Sequence, residues 1–298
     1  VFYLSAVTVL WALSFSLIGV YLSGHVDSYF AVLTRIVLAG VLFLPFLRLT
    51  GLPRKFIAGL IVTGAFQFGI TYVCLYRSFE YLTVPEVLLF TIFTPLYVSL
   101  FNDIIERRFS LPGLICTGIA VAGAAVIRYD EISNDYITGF LILQLANLTF
   151  ATGQVGYAQL IRHFKPASPP WRSFALFFAG ALVVVLPAYL LFGDAGKLPS
   201  TPVQWGVLGW LGLVASGLGF YFWNLGAVKV DGGTLGIMNN ALIPAGLIIN
   251  VLIWNRDADL IRLTAGGGII VASLYINYRW NAFWQRTYNN KQFENSEK

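Results

Sequence analysis

Residues 81–97 read YLTVPEVLLFTIFTPLY, and residues 230–250 read VDGGTLGIMNNALIPAGLIIN. Each is an apolar run with a proline inside it, and Pro95 and Pro244 stand 149 residues apart. At that same offset Tyr72 falls on Tyr221 and Thr83-Val84 falls on Gly232-Gly233, without a gap. Further along, Gly118 and Ala122 fall on Gly268 and Ala272 at an offset of 150, and earlier Leu13-Ser14-Phe15 falls on Leu148-Thr149-Phe150. The chain therefore reads as two copies of one unit.

A membrane-spanning helix needs about 20 mostly apolar residues. Ten runs of roughly that kind are present. Those of the first copy are Val1–Leu22, Ser28–Leu47, Phe56–Tyr76, Thr83–Ile105 and Leu111–Ile127. Those of the second are Tyr136–Ile161, Trp171–Phe192, Val203–Val228, Gly233–Trp254 and Leu260–Tyr278. Five is odd, so the second copy is expected to lie upside down relative to the first. Inverted repeats with a ligand site at their interface, near the bilayer midplane, are a secondary-transporter architecture. The expected fold is an all-α polytopic membrane protein of ten transmembrane helices in two inverted five-helix repeats, residues 1–128 and 136–279, with a polar tail over 280–298. The first run lacks a basic leader, so it is expected to be retained as a span. The chain starts at Val1, so a short preceding piece is expected.

Composition leads the same way. Of 298 residues, 57% are hydrophobic and 11% are charged, against about 25% charged in soluble domains. A soluble core of this size cannot hide so many apolar side chains; the lipid bilayer is the expected solvent. The net charge of +5 is spread over connecting loops and makes no basic stripe for nucleic acid. Cys74 and Cys116 sit inside apolar runs, and His25 and His163 near the ends of runs. No disulfide framework, metal-ligand spacing, hydrolase motif or Walker A sequence is present. Metal, cofactor, nucleic-acid and enzymatic readings are therefore set aside, as is ATP-driven transport by this chain alone. With the N-terminus inside, the inner loops and tail carry thirteen Lys and Arg against five in the outer loops. That bias places both termini in the cytoplasm.

Within the spans, several residues are candidates for a site. Pro95 and Pro244 each remove one helical N–H and release a carbonyl four residues earlier, at Thr91 and Asn240. Released backbone at membrane depth has to be satisfied by protein, or by water or ligand in a cavity. A kink held by neighbouring helices competes evenly with a gating role. Gln144, Asn147, Ala151 and Gln154 share one helical face, as do Asn239, Gly246 and Asn250, with Asn240 beside the latter; Asn224 follows Trp223. Amides are costly in lipid unless paired, so these faces turn inward, either to bond neighbouring helices or to meet a ligand. Trp11, Phe15, Tyr72, Tyr97 and Trp223 either pack between helices, the commoner use of aromatic stripes, or supply planar walls suited to a small heterocycle with polar edges. Tyr76 reads as an interfacial-belt residue.

Arg35 lies about seven residues inside its span, roughly 10 Å along a helix. A charge there has to meet a partner or a ligand. Glu86, after Pro85 at the start of a span, complements the helix dipole and is also the possible charge partner of Arg35.

The strings GHVDSYFAVLTR (24–35), YLTVPEVLLFTIFTPLY (81–97), IRYD (127–130), VDGGTLGIMNN (230–240) and PAGLIIN (244–250) resemble the drug/metabolite transporter superfamily, EamA-like. Within it they are similar to the bacterial biotin transporters of the carboxylate/amino-acid/amine branch. The likeness covers Val1 to about Trp280. It implies substrate uptake by alternating access across the bacterial cytoplasmic (inner) membrane, through a cavity built from spans one, three, four, six, eight and nine. It implies biotin as the small-molecule substrate, with related metabolites such as amino acids, imported or exported, as the alternative. On that reading Arg35 attracts the carboxylate, amides such as Asn147, Asn224, Asn239 and Asn240 bind the ureido group, and Trp11, Phe15, Tyr72 and Trp223 cover the rings.

Overall fold

The computed structural model describes residues 2–106, 134–230 and 232–254, with isolated positions between 115 and 280. Among the described residues every regular element is helical. Helix α1 runs over Phe2–Leu17 and widens into a π-helical turn at Ile18–Leu22. Helix α2, Ser28–Phe43, ends in a 3-10 turn at Leu44–Phe46. Helix α3 is Arg54–Gly64, a π segment at Ala65–Ile70, and Thr71–Ser78. Helix α4, Val84–Phe90, passes through a 3-10 turn at Thr91–Phe93 into α5, Thr94–Glu106. Then come α6, Asn134–Phe164, and α7, Ala175–Phe192. Helix α8 is Pro202–Trp210, a π segment at Leu211–Leu218, and Gly219–Val228; α9 is Gly232–Trp254.

Local chemistry sets these ends. The Asp27 carboxylate accepts from the Phe30 N–H at 2.7 Å and caps α2. Thr201 and Gln204 form a reciprocal capping box at α8, with Pro202 in the first turn, where its missing N–H costs nothing. Glu86 accepts from the Thr83 N–H at 2.6 Å and from its hydroxyl at 2.8 Å, so its carboxylate closes the start of α4. The turn between α2 and α3 uses Gly51 at φ +78, a conformation that costs other residues a steric clash.

Helix α1 packs against α8 and α9, and α6 packs against α3 and α5. Helix α2 packs against α7 and α8, and α7 also packs against α3. Glycines let α3 approach closely. A Cβ on Gly64 would collide with the Phe177 carbonyl, and one on Gly180 with the Ile61 carbonyl. On its other side, a Cβ on Gly153 of α6 would meet Gln67. Small residues at such crossings gain van der Waals contact where lipid gives no hydrophobic drive.

Six segments among the described residues are long and apolar enough to cross a membrane: Phe2–Leu22, Ser28–Phe46, Arg54–Ser78, Tyr136–Phe164, Ala175–Phe192 and Pro202–Val228. Val183, Leu190, Leu191 and Leu252 are exposed on the outside of the bundle, as lipid-facing side chains are. The protein is a multi-pass membrane protein, all-helical over its described residues. The spans expected at Leu111–Ile127 and Leu260–Tyr278 lie outside the described residues, apart from isolated positions. The span expected at Thr83–Ile105 is broken before Pro95. By contrast α9 runs as one helix over Pro244.

Candidate functional site

A cavity opens between the helices, with about 720 Å³ of atom-free space, its mouth included. Its walls are aromatic: Trp11 and Phe15 of α1, Tyr72 of α3, Phe150 of α6, and Phe220 and Trp223 of α8. Polar groups punctuate them, among them Thr8, Ser14, Thr71, Thr91, Thr94, Asn147 and Asn239. Trp11 is the centre of the aromatic wall, with ring centroids 4.7 Å from Trp223 and 4.9 Å from Phe220.

Arg35 borders this cavity yet is only 1% exposed. Its Nε donates to Ser216 Oγ at 3.0 Å, Nη1 to Tyr76 Oη at 2.9 Å and Nη2 to Tyr72 Oη at 2.9 Å. The guanidinium carbon also lies 4.4 Å from the centroid of the Tyr72 ring. Tyr72 and Tyr76 are four residues apart on the last turns of α3 and so present both hydroxyls on one face. Ser216 comes from the π segment of α8, which approaches α2 at Gly212, where a Cβ would meet Leu38. All three partners are neutral. The pairing of Arg35 with Glu86 is not formed: Glu86 is engaged at the start of its own helix, and Arg77–Glu80 is the ion pair found among the described residues. Removing a charge from water costs several kcal/mol per ion. Three charge-assisted hydrogen bonds and a cation–π contact offset part of that.

The break before Pro95 resolves internally. Pro95 has no N–H for the Thr91 carbonyl, and the Thr94 N–H takes that carbonyl in the 3-10 turn. The Phe90 carbonyl, which a regular helix would have bonded to Thr94, instead accepts from Asn147 Nδ2 at 2.8 Å. Asn147 thus mends the broken span while lining the cavity. Its neighbour Gln144 accepts from the Tyr97 hydroxyl at 3.2 Å.

Of the sequence candidates, Trp11, Phe15, Arg35, Tyr72, Asn147, Trp223 and Asn239 meet in this one cavity. Asn239 bonds back to the Leu235 carbonyl at 3.0 Å. Two candidates do not reach the wall. Tyr97 bonds Gln144, and Asn224, wholly buried, accepts from Gln67 Nε2 at 3.1 Å. The side chains of Asn240 and Pro244 lie outside the described residues. Tyr76 is no interfacial residue: it is 3% exposed and holds Arg35. Its i, i+4 relation to Tyr72 was the available signal. Ser216 offered none, because a π segment shifts side chains out of the 3.6-residue register by which faces are read. The same segment's Ala215 carbonyl accepts from the Trp11 indole at 3.0 Å.

Comparisons with known proteins agree with this architecture. The EamA-like transporter family model matches residues 1–129. A probable biotin transporter of Pseudomonas aeruginosa is 58% identical over 275 residues, 92% of this chain and 96% of that protein. The biotin transporter of Escherichia coli K12 is 48% identical over 276 residues, 92% of each chain. That of Salmonella typhimurium is 47% identical over the same span. A solved crystal structure with 16% identity superposes over 92% of this chain and 93% of its own, with a TM-score of 0.68, a likeness of fold. With 58% identity to a transporter that it covers almost end to end, this chain belongs to the EamA-like transporter family.

Proposed function

We propose that this protein is a secondary transporter that takes up biotin across the bacterial cytoplasmic membrane by alternating access. The observation that carries the reading is Arg35, a buried cation bordering a mostly apolar cavity with aromatic walls and held by neutral oxygens. Biotin matches those features, with a carboxylate for the guanidinium, an apolar chain and sulfur ring for the Trp11, Phe15, Tyr72 and Trp223 walls, and a ureido edge for the Thr91, Thr94, Asn147 and Asn239 polar groups. The named function of the relatives supports the choice of ligand. No catalytic step is assigned; the work is binding and release on opposite sides.

The architecture assigned to this cycle is ten spans in two inverted repeats, 1–128 and 136–279, both termini and the 280–298 tail inside. Helix packing supports it. Exchanging the halves turns the contact of α1 with α9 into that of α6 with α5, and the contact of α2 with α8 into that of α7 with α3. Helices α3 and α8 each carry a mid-helix π segment. The site lies between the halves, so a rocking of one against the other re-exposes it.

The test is growth of a biotin auxotroph lacking its own importer on trace biotin, with accumulation of labelled biotin measured directly. Expression of this chain should restore both. Arg35→Gln should weaken apparent affinity roughly 10- to 100-fold, the worth of one charge-assisted contact. No accumulation with normal membrane levels sinks the reading, and accumulation of a labelled amino acid instead moves the substrate to the wider branch.

A further inference from the structure

The partners of Arg35 have a common chemistry. A guanidinium carries five N–H donors; three are spent on the Ser216, Tyr76 and Tyr72 hydroxyls, and one remains on each terminal nitrogen. Tyr72 also lines the cavity, whereas Tyr76 and Ser216 stand behind the wall, Ser216 wholly buried. A carboxylate at either rear position would neutralise the arginine inside the protein. A hydroxyl fixes its direction and leaves its charge.

We propose that Ser216 and Tyr76 are positioning residues that set specificity: they aim the Arg35 guanidinium into the cavity while withholding a counter-charge, so the site selects an anionic ligand over a neutral one of the same shape. The inference rests on the biotin reading above. Selection follows because, without a ligand carboxylate, the buried charge stays uncompensated, and a neutral analogue leaves that cost standing. The π segment of α8 ties this end of the site to its aromatic wall. Ser216 Oγ takes Arg35 Nε, and the preceding carbonyl, Ala215, takes the Trp11 indole. One turn of backbone therefore sets both the anion-reading cation and the ring that faces Trp223 and Phe220.

The experiment uses cells expressing the full chain, with uptake of labelled biotin challenged by unlabelled biotin and by biotinol, its uncharged alcohol. The unaltered protein should prefer biotin at least about tenfold, the effect of roughly one lost charge-assisted bond. Ser216→Asp supplies the missing counter-charge and should bring that preference close to one, while Ser216→Asn, equal in size but neutral, should keep it. Tyr76→Phe should raise the KM for biotin about three- to tenfold and change competition by biotinol less than about twofold. The Tyr76→Phe comparison decides alone if Ser216→Asp fails to accumulate in the membrane. Biotin uptake whose anion preference survives Ser216→Asp, or equal losses for both ligands in Tyr76→Phe, overturns this inference alone. No biotin uptake by the unaltered chain overturns the function reading and this inference with it.

Discussion

Single buried polar groups show which amides line the cavity and which serve the fold. Gln67 and Asn224 are wholly buried and bonded to each other, Nε2 to Oδ1 at 3.1 Å, while Gln67 Oε1 and Asn224 Nδ2 have no hydrogen-bond partner among the described residues. Removing one amide strands the other, and a stranded buried polar group costs about 1–3 kcal/mol. Gln67→Leu and Asn224→Leu should therefore each lower the thermal stability of detergent-purified protein, and the double change should recover most of the loss. A double variant no more stable than its worse parent would mean that this pair contributes through something other than its shared bond. Asn147 combines both roles: one amide hydrogen mends the Phe90 carbonyl, and the same side chain lines the cavity.

At the level of elements, α3 is closely packed on two sides, gripped by α7 at Gly64 and Gly180 and by α6 at Gly153. Its central π segment starts just after the two α7 contacts, contains Gln67 of the α6 contact, and precedes the two tyrosines that hold Arg35. Backbone contact of this kind leaves no room for a methyl group. Gly64→Ala or Gly180→Ala should force α3 and α7 apart at about 1–3 kcal/mol, seen as a lower unfolding temperature and less folded protein in the membrane. Gly206 on α8 is the control, since a Cβ there meets nothing within 4 Å. Gly206→Ala should be neutral or stabilising by up to about 1 kcal/mol, from helix propensity alone. Equal losses at Gly64 and Gly206 would show that the α3–α7 approach is not what these glycines provide.

For the molecule as a whole, the proposed inverted arrangement fixes which loops face which compartment. Thr50 lies between α2 and α3 and Lys197 between α7 and α8, both exposed. In a chain whose Cys74 and Cys116 are replaced by Ala, Lys197→Cys should react with an impermeant maleimide added to intact spheroplasts. Thr50→Cys should react only after the membrane is opened. Labelling of Thr50→Cys from outside would invert the assignment of both termini.

Much of this was legible from residues 81–97 and 230–250 and the composition around them. The bilayer environment, the spans and the aromatic and amide faces follow from hydropathy and helical period, which act along one helix at a time. Seven of the ten candidate binding residues converge on one cavity for that reason: inward-facing polar and aromatic groups in a helical bundle have only its interior to share. Partner choice was beyond that reading. Period and charge placed Arg35 and Glu86 toward the same side of the membrane, and opposite charges made them an obvious couple. Only the packing of α2 on α3 and α8 decided that Arg35 is held by two tyrosines and a serine, while Glu86 is spent on its own helix start. The proline break was likewise legible, but its repair by Thr94 and Asn147 was not. A hydrogen bond between helices depends on their rotation and separation to within an ångström, and a π segment or a glycine crossing changes both without altering the hydrophobic pattern that sequence displays.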